Sequence, residues 1–118
     1  MWIARADRAA RKGWYAGPWN SDLTVAVGYA HEGIDDPHLH TTVTEIYVVA
    51  SGWADARIEQ QTVRLESGDM FVVEPGEAHT FLANSPDYRH FVLHLPGLPA
   101  ADARADRVTV PRSRLAPT

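Results

Sequence analysis

Short strand-like runs, rich in β-branched and aromatic residues, recur along the middle of the chain and are separated by turn signals. Gly52, Gly68 and Gly76, each beside a serine or a proline, supply the positive or pre-set φ that tight turns need. No long helical period lies between these turns. Strands at intervals of about 8 to 12 residues are typical of an all-β sandwich or barrel. The sequence predicts strands at 23–29, 38–43, 45–50, 53–59, 61–65, 70–73, 79–83 and 89–95.

A chain of 118 residues suits one domain with its own core. We place the core of the barrel at about residues 22–97. Residues 1–21 are predicted to form an N-terminal arm or edge strand, and its aromatic residues at 14, 15 and 19 need a surface to cover them. Residues 98–118 are predicted to be a peripheral C-terminal tail, in which 107–110 could add a last strand.

Composition excludes several classes of protein. There are 15 acidic against 11 basic residues, so no overall positive charge attracts nucleic acid or an anionic membrane. The chain has no cysteine, which excludes thiolate catalysis, cysteine-ligated metals and disulfides. No segment has the apolar length of a signal peptide core or a membrane span, so we expect a cytoplasmic protein.

Three histidines and a glutamate stand beside the clearest turn signals. In a strand, His38 and His40 point to the same face, about 7 Å apart. Glu45 follows at an odd spacing, so we expect a turn or bulge at 41–44 that brings it inward, with Tyr47 and Val49 on its face. His79 begins another strand after a Pro-Gly turn and is predicted to enter from the opposite sheet.

The donor set defines the kind of ion. Three imidazoles and one carboxylate suit one divalent transition-metal ion per chain, namely Mn, Fe, Co, Ni, Cu or Zn, and do not form a calcium cage. The donor types do not choose among these metals.

The two histidine segments resemble the two motifs of the cupins, which are small metal-binding jelly-roll barrels. The first motif reads Gly33-(four residues)-His38-Leu39-His40-(four residues)-Glu45-(six residues)-Gly52, and the second runs from Gly68 through Pro75-Gly76 to His79, with Asn84 five residues on. The gap from Gly33 to His38 is one residue shorter than the commonest form, and that from His79 to Asn84 one longer. The chain therefore resembles a single-domain cupin of the conserved-barrel type known as cupin 2.

This resemblance implies a fold and a site. The fold is a double-stranded β-helix, and the implied metal ligands are His38, His40, Glu45 and His79, with open positions for water, dioxygen or substrate. It also implies a homodimer built through edge strands. Glu45 and Tyr47 are then the candidate catalytic residues.

Four side chains are candidates for the wall of a substrate pocket: Tyr47 again, Arg57, Phe81 and His90. Tyr47 either orients a substrate or is a core aromatic residue, and Arg57 either anchors a substrate carboxylate or is solvated. His90 and His94, four apart in one strand, share a face that lines the pocket or forms a stripe on the surface.

The resemblance implies a metal-dependent enzyme that acts on a small molecule inside the barrel. Dioxygenase-type chemistry is the commonest outcome for this ligand set, and isomerase or decarboxylase chemistry is also open. The alternative is a non-catalytic, sensor-like module that binds a small molecule or a metal. The sequence lacks the dinucleotide fingerprint, the phosphate-binding loop and the serine nucleophile motif, so it offers no support for those chemistries.

Overall fold

The computed structural model describes residues 1–116. Within them the chain forms ten strands, one short helix and one 3-10 helix. The strands are β1 (Lys12–Ala16), β2 (Ala26–Ala30), β3 (His38–His40), β4 (Thr44–Ser51), β5 (Trp53–Ile58), β6 (Gln61–Glu66), β7 (Met70–Val73), β8 (His79–Asn84), β9 (Arg89–Leu95) and β10 (Arg107–Thr109); the helix is α1 (Ala100–Asp106) and the 3-10 helix is Arg112–Leu115.

The strands form two five-stranded antiparallel sheets. The first sheet has the order β1-β2-β9-β4-β7, and the second has the order β10-β3-β8-β5-β6. The predicted all-β barrel is confirmed. Three strands are shorter than predicted. Residues 23–25 precede β2, β3 ends at His40 because the chain turns before Thr44, and β5 ends one residue early at Ile58.

The turn before Thr44 brings Glu45 to the inward face of β4, as expected. Glu45, Tyr47 and Val49 are all buried, while the residues between them are half-buried. An apolar core fills the half of the interior beside β5, β6 and β7, where Tyr47 packs near Phe81, Leu65 and Val73. The apolar residues thus occupy one half of the barrel and leave the other half to the polar residues of β3, β4 and β9.

Part of the C-terminal segment joins the second sheet. The last strand that the sequence allowed at 107–110 forms over Arg107–Thr109, so this part of the segment is not peripheral. Strand β10 pairs with β3, and Val110 and Leu115 pack on Ala78 and Leu39. The reason is the alternation along β3, where the histidines point inward and Leu39 points outward and needs cover. No helix in the described residues has the length and apolar character that crossing a membrane requires.

The N-terminal arm contributes an edge strand, as one of the two expected forms. β1 pairs only with β2 and ends the first sheet. The homodimer implied by the resemblance stays a prediction, for which β1 offers a free strand edge.

Two turn glycines allow a matched test of backbone strain and steric space. Gly52 has φ +71°, and a Cβ there would lie 2.3 Å from Ser85 Oγ and 2.8 Å from Tyr88 Cα. Gly68 has φ +92° with nothing within 4 Å. Both alanine variants incur positive-φ strain of about 1–2 kcal/mol, and Gly52→Ala adds a clash of about 2 kcal/mol. In urea unfolding, we expect Gly52→Ala to be the less stable variant by that difference. Equal losses would show that the turn relaxes around the new methyl group.

Candidate metal centre

A buried carboxylate, Glu45, lies at the centre of a cluster of histidines. Its Oε1 is 2.8 Å from His79 Nε2 and 3.3 Å from His40 Nε2. Its Oε2 accepts a hydrogen bond from the Tyr47 hydroxyl at 2.8 Å and faces His94 Nε2 at 2.9 Å. The two oxygens of one carboxylate therefore have different neighbours.

The remaining histidine of the predicted set joins the cluster from β3. The ring centroid of His38 lies 4.4 Å from that of His79 and 5.2 Å from that of His40. His38 and His79 are register partners in one sheet, so the expectation that His79 enters from the opposite sheet is wrong for this pair. Glu45 and His94, paired between β4 and β9, come from the facing sheet.

The tautomer of each predicted ligand histidine is set by an oxygen acceptor. In each case Nδ1 lies near a backbone carbonyl or a carboxylate. The distance is 2.6 Å from His38 Nδ1 to the Asp36 carbonyl oxygen, 3.0 Å from His40 Nδ1 to Asp106 Oδ2, and 3.0 Å from His79 Nδ1 to the Glu77 carbonyl oxygen. These oxygens only accept, so Nδ1 donates and Nε2 carries the lone pair. Metal-ligating histidines are held in the same way.

The electrostatics keep these donors in the states that bind a cation. Burial, followed by repulsion from His79, lowers the pKa of His38 to about 4, so this imidazole is neutral at neutral pH. Burial by itself raises the pKa of Glu45, but the imidazoles of His79, His94 and His40 around the carboxylate outweigh burial and hold this pKa well below its usual range. Glu45 is therefore ionised.

The unpaired atoms show that a cation fits here. Glu45 Oε1 and His79 Nε2 are buried without a hydrogen-bond partner, because two lone pairs face each other across 2.8 Å. A metal ion with bonds of about 2.1 Å holds ligand atoms about 3 Å apart when they subtend a right angle. The separations of 2.8 and 3.3 Å match that geometry. Two groups of three donors could each hold a divalent transition-metal ion: His38 with Glu45 and His79, and His40 with Glu45 and His94. Glu45 belongs to both groups.

Asp106, at the end of α1, is a functional residue that the sequence reasoning missed. Its Oδ1 accepts hydrogen bonds from Thr41 Oγ1 at 2.9 Å and Thr42 N at 2.6 Å, while Oδ2 lies on His40 Nδ1. One carboxylate thus supports both the turn before β4 and the orientation of His40. The nearest sequence signal was the predicted last strand at 107–110, which begins one residue later.

Removing the charge of Asp106 is expected to weaken metal binding. Partners of ligating histidines typically contribute about 10–100-fold in metal affinity. We expect Asp106→Asn to lower affinity for Zn²⁺ by at least about tenfold in chelator competition, with Asp102→Asn, an exposed site on the same helix, as the control. Wild-type affinity in Asp106→Asn would show that His40 needs no such support.

A cavity of about 480 Å³ opens beside the cluster. Tyr47, Phe81 and His90, all proposed from the sequence as pocket residues, line it. Arg57 does not reach it, and this expectation is corrected. Its Nε donates to the Leu115 carbonyl at 2.6 Å and its Nη1 to Thr62 Oγ1 at 2.7 Å, because the arginine alternates outward from the buried Ala56.

His90 and His94 both face the interior. Of the two alternatives for this pair, a stripe of histidines on the surface is therefore wrong. His90 is 5% exposed and its Nδ1 lies 2.7 Å from the Tyr88 hydroxyl. Burial lowers the pKa of His90 to about 4. His94 was absent from the predicted ligand set, although its spacing of four from His90 placed both on one face.

Comparisons with known proteins agree with this architecture. The family model described as a cupin domain matches residues 24–93, well over half of the chain. The chain belongs to the cupin family, which confirms the resemblance seen in its two motifs. A search of curated proteins finds no matching relative.

Solved structures share the fold at low sequence identity. A variant of Streptomyces Pac13 with uridine is similar at TM-score 0.69 and 13% identity over 98% of this chain and 93% of that one. KdgF from a Halomonas species is similar at TM-score 0.61 and 22% identity, over 77% of this chain and 82% of that one. A cupin 2 conserved barrel domain protein from Salinispora arenicola is similar at TM-score 0.65 and 16% identity, over 89% of this chain and 94% of that one. At these identities the likeness shows the fold alone.

Proposed function

We propose that the chain is a metal-dependent enzyme that acts on a small molecule in the barrel, with dioxygenase-type chemistry. His38, His40, Glu45 and His79 are the proposed ligands of one divalent transition-metal ion (Fe, Mn, Ni, Co, Cu or Zn). The observation that carries the proposal is a set of three histidines whose Nδ1 atoms each contact an oxygen acceptor. Because Nδ1 carries the proton, the lone pair of each Nε2 is available to bind a metal ion.

The protein residues around the ion have distinct roles in this proposal. Glu45 ligates through Oε1, while Tyr47 and His94 hold its other oxygen and fix the plane of the carboxylate. A bound ion of this class supplies a Lewis-acid or redox centre to which substrate oxygens and dioxygen can bind. Four protein ligands leave positions open for them, beside a cavity large enough for a small organic molecule.

Tyr47 and Glu45 are the proposed catalytic residues. The Tyr47 hydroxyl lies between the cavity wall and Glu45 Oε2, where it can keep a proton near the reacting atoms. Burial raises the pKa of Tyr47 well above its usual value, with the negative charge of Glu45 adding to the effect, so the phenol remains a donor. Its ring packs on Phe71 and Phe81, which restricts its motion.

The test is oxygen consumption by the metal-loaded protein with catechols, flavonols, thiols and diketones. A dioxygenase places both atoms of O₂ in one organic substrate and needs no external reductant, so labelled ¹⁸O₂ should add two heavy atoms to the product. Protein that holds no metal after reconstitution would refute the proposal. Metal-loaded protein that binds a candidate but never turns it over would favour the non-catalytic module.

A second candidate is proton-transfer chemistry without oxygen, as in an isomerase or decarboxylase. It is favoured by the two donors on Glu45 Oε2, the Tyr47 hydroxyl and His94 Nε2, which connect a buried carboxylate to two groups able to exchange protons. The similar fold of Pac13, a nucleoside dehydratase, supports non-oxidative chemistry in such a barrel. Turnover at an unchanged rate under argon would identify this candidate.

A further inference from the structure

The cavity beside the metal cluster is also lined by residues of the N-terminal segment and of α1. Strand β1 ends the first sheet, and β10, which follows α1, ends the second. We define the β1 lip as Lys12, Trp14 and Trp19, and the α1 lip as Ala100, Ala103 and Arg104; all six residues line the cavity.

The β1 lip presents aromatic surface to the entrance. Trp14 is 46% exposed and Trp19 is 43% exposed, and their rings meet edge to face at 5.9 Å. Trp14 lies across Gly28, where a Cβ would come within 2.8 Å of the indole, and reaches the ring of His94 at 4.8 Å. An uncovered indole therefore lies directly against a histidine that contacts Glu45, where a planar ring could stack on it.

Two cations on the lips have no partner among the described residues. Lys12 and Arg104 have no ion pair or side-chain hydrogen bond within residues 1–116. The two carboxylates at the rim are already paired, Glu32 with Arg11 and Asp36 with Arg107. The other two carboxylates that line the cavity, Glu45 and Asp106, are buried beside the histidines and do not lie on the lips.

Lys12 and Trp14 are two residues apart on β1 and point to the same face. Their lip therefore combines a stacking surface with a cation, and Arg104 offers a second cation across the gap. These are the two features that recognise a planar ring bearing an anion.

We propose that the substrate is an aromatic or heteroaromatic acid whose ring packs on Trp14 and Trp19 and whose anionic group lies between Lys12 and Arg104. This inference rests on the proposed function, in which the oxygen atoms of the substrate meet the metal ligands. It adds a substrate class and assigns four residues outside the metal cluster to its recognition.

The test compares two probes that differ by one carboxylate, catechol and 3,4-dihydroxybenzoate. Calorimetry on Zn²⁺-loaded protein, which avoids turnover, measures both affinities at low and high salt. We expect the acid to bind about tenfold more tightly at low salt, and salt to reduce that preference because exposed charges are screened. Lys12→Gln and Arg104→Gln should each lower affinity for the acid about threefold and leave catechol unchanged.

Matched variants separate the lips from general effects. Arg89→Gln removes an exposed cation outside this cavity, and Trp2→Leu removes an exposed indole on the N-terminal arm. Neither should change binding. Trp14→Leu should weaken both probes about fivefold, because each presents a ring to it.

Equal affinity for the two probes, or an acid preference that survives in the Lys12→Gln, Arg104→Gln double variant, would overturn the inference. So would failure of metal-loaded protein to bind either probe, although its metal content would still support the proposed function. If the protein holds no metal, the proposed function fails, and the same two probes titrated by tryptophan fluorescence into metal-free protein then decide the inference alone.

Discussion

Wild-type protein reconstituted with Zn²⁺ and freed of excess ion is expected to retain about one equivalent per chain. The His79→Ala and Glu45→Gln variants should each retain less than about a tenth of that, measured by plasma mass spectrometry. Within residues 1–116, His79 Nε2 is buried without a hydrogen-bond partner, and the Glu45 carboxylate contacts the imidazoles of His40, His79 and His94. Losing Glu45 removes the donor common to both groups that could hold an ion, and losing His79 removes one of the three donors of the group with His38.

His31→Ala is the control for these variants. His31 is a half-buried histidine whose Nδ1 lies 3.0 Å from the Ala10 carbonyl, outside the cluster. It should retain the full equivalent of metal. Circular dichroism of each variant distinguishes a lost ligand from a lost fold. If folded His79→Ala and Glu45→Gln proteins both kept one equivalent, the ligand set would be wrong.

Acid is expected to destabilise the metal-free protein partly through His90. Its pKa is lowered to about 4 in the folded chain, against about 6.5 when unfolded. Above pH 6.5 both states are neutral and His90 has no effect. As the pH falls from 6.5 towards 4, the unfolded chain binds the proton first, so the free energy of unfolding decreases, by about 3 kcal/mol over the whole window.

His90→Gln isolates this contribution. Glutamine can still accept a hydrogen bond from the Tyr88 hydroxyl but does not titrate, so the loss assigned to His90 should disappear. Urea unfolding at pH 7.5 and pH 5.0 should show wild type losing about 2 kcal/mol more than the variant, since the other titrating groups are common to both. Parallel losses in the two proteins would mean that His90 is solvated enough to keep an ordinary pKa.

Local sequence was sufficient for the features that depend on neighbours along the chain. The shared face of His38 and His40 follows from the two-residue period of a strand, and the odd spacing to Glu45 required the turn seen before Thr44. Gly52 and Gly68 were placed in turns that demand positive φ, and both adopt it. The two histidine motifs, taken together, were enough to identify the family.

Features that depend on which strands become neighbours were not predictable in the same way. His94 faces Glu45 because β9 pairs with β4 in one particular register, although 49 residues separate them. Asp106 reaches His40 across 66 residues, through a tail that looked peripheral. Arg57 was assigned to the pocket on its charge, but its position beside the inward Ala56 turns it to the outer face.

The sequence by itself determined the strand alternation and the turns, because each is set by backbone geometry within a few residues. Its two motifs supplied the four proposed ligands through their resemblance to the cupins. The tertiary structure decided what surrounds those ligands. It holds the tautomers through Asp36, Glu77 and Asp106, and it brings Trp14 across Gly28 to the cavity entrance. Such contacts arise from the register and packing of distant strands, which no local pattern specifies.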